Sequence, residues 1–244
     1  MASIIWDRDP QEAINNPYEY NAQKQFHREA ITLTGKLSEM LKEGRYYLQE
    51  MTLEKAIWML QTDALFAFRD AVILLEQKRH RVVGRLLRDI LEAIHLIEYL
   101  NSKTTKSEKL LLEWFVNDEL IMHREYRDYV KAYYGENEAN IARDNHRILS
   151  KFTHRSYRIL LYSYIRGSED RMWFDDGTEL PQSVAMYYAF LGQLGGAILE
   201  NLKDFGMLTP DDVNTVWSES MEPEQIPRGF LSKEDKEFLG INDD

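Results

Sequence analysis

Cysteine is absent from the 244 residues, which excludes disulfides, thiolate metal sites and a thiol nucleophile together. Proline is almost as scarce. Between Pro17 and Pro181 the chain runs 163 residues without one, and only six glycines interrupt it there. Long helices are written this way, because an interior proline removes a backbone donor and clashes with the preceding turn. Long hydrophobic runs are missing too. The longest uncharged apolar stretch, residues 184–199, is 16 residues, against about 20 for a membrane span, so no membrane partner is expected. It reads as a buried helix whose small residues Ala185, Ala189, Gly192 and Gly196 form a groove for another helix. Residues 1–8 lack a basic region followed by an apolar run, so no secretory leader is expected and the cytoplasm is the expected compartment.

What is present is a globular composition, 44% apolar and 12% aromatic, with a net charge of −11. The charge is unevenly spread. Residues 206–244 hold ten acidic against three basic groups and so carry −7 of the total, while Lys78 to Arg88 has five Lys/Arg and no acid. A second basic segment, Arg143 to Arg171, has seven Lys/Arg against three acids. These two segments are either solvated helix faces or an anion-binding surface that the acidic tail could cover.

The pattern predicts an all-α fold, a bundle of about six long helices (residues 1–205) with a short irregular acidic C-terminal extension (206–244) packed on or tethered to it. The expected helices are Tyr18–Glu43, one capped by Thr52 and running to Lys78, Arg79–Leu100, Ser107–Tyr134 closed by Gly135, Glu138–Ile165, and one starting at Pro181. A loop from Gly167 to Gly177 precedes the last of these. Thr209-Pro210 starts a further helix, and Ser232–Phe238 reads as a last short one. Tyr187, Tyr188 and Trp58 read as core packing or as the lining of a small-molecule pocket.

At 100° per residue the third helix places Val82, Val83, Leu86, Leu87, Ile90, Ile94 and Ile97 on one side and Arg85, Arg88, Glu92 and His95 on the other. The fifth places Ile148, Leu149 and Phe152 against a seam of Arg143, Arg147, Ser150, Lys151 and His154. A carboxylate such as Glu92 can hold an arginine and tune an imidazole; equally, Arg88 and Glu92 are an ordinary i, i+4 surface pair. Glu92-Ala-Ile-His95 has the Glu-x-x-His spacing of dinuclear sites, but no second copy occurs, so no metal or other cofactor is expected. No P-loop, His-Glu-x-x-His, Gly-x-Ser-x-Gly or kinase pattern is present.

Arg147-Ile-Leu-Ser-Lys-Phe-Thr-His154, an Arg and a His with six residues between them on a late helix, resembles the HEPN superfamily of all-helical domains. Many of its members are metal-independent ribonucleases of prokaryotic toxin and defence systems. The resemblance implies a homodimer with one Arg/His pair per subunit in a cleft, Arg147 stabilising phosphate charge and His154 moving a proton or orienting the 2′-hydroxyl. Gly84-Arg-Leu-Leu-Arg-Asp-Ile-Leu-Glu92 followed by Leu149-Ser-Lys-Phe-Thr-His154 is also similar to uncharacterised bacterial helical families, which implies a shared seam and no set activity. The candidate residues are therefore Arg147 and His154 as catalytic, with Arg88, Glu92, Ser150 and Arg143 binding or supporting. RNA or a protein is the expected partner. The alternative is a non-enzymatic helical interaction protein in which the seam is a structural network.

Overall fold

The computed structural model describes residues 2–7, 20–154, 165–168, 171–174 and 181–222. Among them are a short 3-10 turn, Ile4–Asp7, and eight α-helices: α1 Tyr20–Leu41, α2 Leu53–Glu76, α3 His80–Asn101, α4 Thr105–Asn117, α5 His123–Tyr134, α6 Glu136–Thr153, α7 Pro181–Phe205 and α8 Pro210–Ser220. A two-stranded antiparallel hairpin, β1 Ile165–Ser168 and β2 Arg171–Phe174, lies between α6 and α7 in sequence. The helical bundle expected from the periodicity is present.

Local chemistry sets the ends. Thr52 accepts from the Lys55 amide at 3.3 Å to start α2, and Thr209 and Asp212 form a reciprocal capping box with Pro210 in the first turn of α8. Gly135, at φ +99°, separates α5 from α6 in a conformation that a side chain would strain.

Four boundaries differ from the sequence reading. The expected helix Ser107–Tyr134 is two helices, α4 and α5, because Asp118 turns into the left-handed region at φ 55° and its amide returns to the Glu113 carbonyl. That helix starts one turn earlier than Ser107, with Thr104 as its cap, accepting from the Ser107 amide at 3.1 Å. The helix expected to reach Ile165 ends at Thr153, and Ile165 lies in a strand. The segment expected as a loop from Gly167 pairs in register, Gly167 opposite Met172 and Ser168 opposite Arg171. Four-residue strands are too short for alternation to declare them. The short helix expected at Ser232–Phe238 lies outside the described residues.

The core centres on α2, α3 and α7, with α1 across α2, and α5 and α6 against α3. Phe26, Leu37, Phe68, Ile90, Leu191 and Leu202 are fully enclosed, as Tyr187 and Tyr188 nearly are. Val82 and Ile148, read from the wheel as core, are instead exposed at the margins of their helices. No helix among the described residues is long and apolar enough to cross a membrane.

Within the small-residue face of α7, Gly192 receives the N-terminal turn: a Cβ there would stand 2.0 Å from the Ile5 carbonyl oxygen, and one on the neighbouring Gly195 would meet the Trp6 ring at 2.6 Å and the Phe68 ring at 2.9 Å. Gly196 faces open space. Residues 210–220 of the acidic extension form α8, which buries Val213 and Val216 and packs along α1 and α7. Its acids pair with α1, Glu219 with Lys36 and Glu222 with Arg28, each at 2.7 Å.

Candidate functional site

The polar seams of α3 and α6 meet. Glu92 Oε1 accepts from Arg88 Nε at 2.8 Å on its own helix and lies 2.7 Å from Nε2 of His146 on α6. Partial burial works to raise the Glu92 carboxyl, but the hydrogen bonds from Arg88 and His146, with their charges, outweigh it and hold its pKa below the ordinary carboxylate value. Nδ1 of the same imidazole lies 3.4 Å from the Ser150 hydroxyl, one turn on. The order Arg88, Glu92, His146, Ser150 holds one orientation of the imidazole, which is what acid–base chemistry asks of a supporting carboxylate.

His146 also begins a stack of rings. His123 of α5 lies over it at 4.0 Å and 16°, and His123 Nε2 is 3.3 Å from His95 Nδ1. His95 stacks on Tyr126 at 4.0 Å, and the Tyr126 hydroxyl donates to Glu98 at 2.8 Å. Burial, and then the neighbouring imidazoles, push His95 down to about 3; burial and His146 push His123 down to about 4 against the pull of Glu92. Burial raises Glu98, opposed by the Tyr126 hydrogen bond. His123 and His146 present ring faces to each other, and among the described residues no group of three or more His, Asp or Glu side chains is arranged to hold a metal ion.

This array makes stability pH-dependent with a definite sign. Both imidazoles have folded pKa values below the ordinary 6.5, so below that pH the unfolded chain binds the extra protons and stability falls as the pH drops through about 4 for His123 and about 3 for His95. Urea unfolding between pH 7 and pH 5 is expected to give a slope that His123→Gln reduces by up to about one proton. An unchanged slope in that variant would remove His123 from the account.

Of the residues singled out in the sequence, Arg88, Glu92 and Ser150 come together here, joined by His146. Arg143 and Arg147 flank Asp144, at 3.3 and 3.6 Å, with half or more of each side chain exposed. His154 is exposed at the C-cap of α6, where its amide donates to the Ser150 carbonyl. Seven residues apart, Arg147 and His154 lie about 20° from each other around the helix. Arg143 shares their side, and His146 sits between this stripe and the core.

The sequence reading missed His146, His123, Tyr126 and Glu98. A signal existed for the first: His146 precedes Ser150 by four residues and so shares its face. Nothing local marks His123, whose partners come from α3 and α6. Comparison of the chain with family models, with curated proteins and with solved structures found no match.

Proposed function

We propose that this protein is a cytoplasmic, homodimeric, metal-independent ribonuclease of HEPN type, belonging to a prokaryotic toxin or defence system. The observation that supports this reading is the exposed stripe of Arg143, Arg147 and His154 on α6, bordered by an imidazole already oriented by Glu92 and Arg88. In the reaction His154 takes the proton of the 2′-hydroxyl, the 2′-oxygen bonds to phosphorus, and the 5′-oxygen leaves with a proton from water or from the other copy's imidazole. A 2′,3′-cyclic phosphate remains. Arg147 and Arg143 balance the charge that builds on the phosphoryl oxygens, and Arg88, Glu92 and Ser150 hold the flank of the site through His146.

A mixed RNA pool incubated in EDTA at low salt tests this. The wild type is expected to cleave, and His154→Ala to lose about 100-fold or more of the rate. Because His154 is exposed, the melting temperature should not move. Cleavage retained in His154→Ala would overturn the assignment.

A second reading, a non-enzymatic interaction protein, is favoured by one observation. Leu112 and Val116 of α4 are each 56% exposed, and Tyr47, Leu48 and Met51 are also exposed in the segment before α2. Lys55, which holds that segment by three carbonyls, lies over the Phe115 ring. Under this reading neither protein cleaves RNA, and the seam is only a helix–helix contact.

A further inference from the structure

A cleft of about 630 Å³ opens where α3, α5, α6 and the end of α7 converge, on the far side of the histidine stack from Arg88. Three tyrosines of α5, Tyr126, Tyr129 and Tyr134, supply its aromatic wall. Three carboxylates come from three different helices: Glu98 of α3, Glu138 of α6 and Asp204 of α7. No Lys or Arg is among the described residues that line it. None of the three carboxylates has an ion pair among the described residues, although the chain holds 30 Lys and Arg.

The backbone adds to the same field. The lining includes Asn101 and Ser102 at the end of α3, Tyr134 at the end of α5, and Phe205 at the end of α7. Three helix C-termini therefore border one cleft, each carrying a fraction of negative charge. Among the described residues no wall repels a positive ligand, and the cleft is far too roomy for a bare ion.

We propose that this cleft is a binding site for an aliphatic organic cation carrying more than one ammonium group, a linear polyamine being its simplest form. The rings of Tyr129 and Tyr134 take the methylene chain and the cation by cation–π attraction, while Tyr126, stacked on His95, backs the wall. Glu98, Glu138 and Asp204 take separate ammonium groups by charge-assisted hydrogen bonds. Glu98 is the anchor, because its carboxylate is held in place by the Tyr126 hydroxyl at 2.8 Å and sits deepest among the three. The site is distinct from the α6 stripe and does not depend on the ribonuclease reading.

Spermidine titrated into the full chain by calorimetry, in 150 mM NaCl with 5 mM MgCl2 to saturate diffuse electrostatics, tests the proposal. Saturable one-to-one binding is expected, weakened about tenfold by Glu98→Gln and by Tyr129→Leu. Asp204→Asn, exposed at the rim, serves as a variant whose folding is not at risk and should weaken binding in the same direction. Absence of saturable binding to the wild type, or equal binding by wild type and all three variants, would overturn the proposal, the latter by reducing it to an effect of net charge.

Discussion

Glu29→Ala is expected to cost about 3–5 kcal/mol of stability, because it leaves several buried N–H donors without their acceptor at once. Glu29 is fully buried in α1, and every group bonded to it is a neutral N–H donor. Its two oxygens receive the Ser3 amide at 3.2 and 3.0 Å, the Trp6 indole at 2.8 Å, the Gln25 amide at 2.8 Å and the Glu222 backbone amide at 3.1 Å. Truncation leaves these donors facing a cavity, and a buried unsatisfied donor costs about 1–3 kcal/mol by itself. Glu29→Gln, which keeps the shape but turns an NH2 group toward donors, should lose less. Urea unfolding followed by Trp fluorescence measures both, since Trp6 reports directly on the site. A wild-type midpoint for Glu29→Ala would show that the carboxylate organises nothing.

Gly192→Ala is the second large effect expected, about 3 kcal/mol, the upper end of overpacking costs. The added methyl would lie 2.0 Å from the Ile5 carbonyl oxygen and 2.9 Å from its carbon. Both are backbone atoms, which cannot rotate away as a side chain would, so relief requires the Ile4–Asp7 turn to lift from α7. Gly196→Ala, on the same helix with nothing within 4 Å of its new methyl, should be neutral or stabilising by up to about 1 kcal/mol. Because Gly192→Ala and Glu29→Ala both release the same N-terminal turn, their combination should fall short of the sum by at least about 0.5 kcal/mol. Strict additivity, or a Gly192→Ala protein as stable as the wild type, would contradict this packing.

How much of this was legible in the sequence depended on the range of the interaction. Thr52, Gly135 and Thr209 act on residues within a turn of themselves, and each could be placed from its neighbours alone. The break at Asp118 was hidden because an aspartate in the left-handed region leaves no glycine or proline as a mark. The seam was half legible: Arg88 and Glu92 are one turn apart, but the imidazole that completes them is 54 residues away on α6. Helical projection found the polar side of each helix without revealing that the two sides meet. Glu29 lay in a helix with no motif around it, and its partners span from Ser3 to Glu222. The close approach at Gly192 of α7 was legible, while the identity of what approaches it, a 3-10 turn, was not.

The shared hold of Glu29 on Ser3 and Glu222 also bears on when the protein can become native during synthesis. Its oxygens wait for a donor that is translated 193 residues after the carboxylate itself. While the ribosome is still adding α7 and α8, the N-terminal turn has neither Gly192 to rest on nor the full set of bonds at Glu29. Helices α2 and α3, neighbours in sequence, can pair early. The clasp that closes the domain forms only after Glu222 has been added, so through the synthesis of all eight described helices the Trp6 indole and its surrounding apolar surface lack the full set of bonds that holds them.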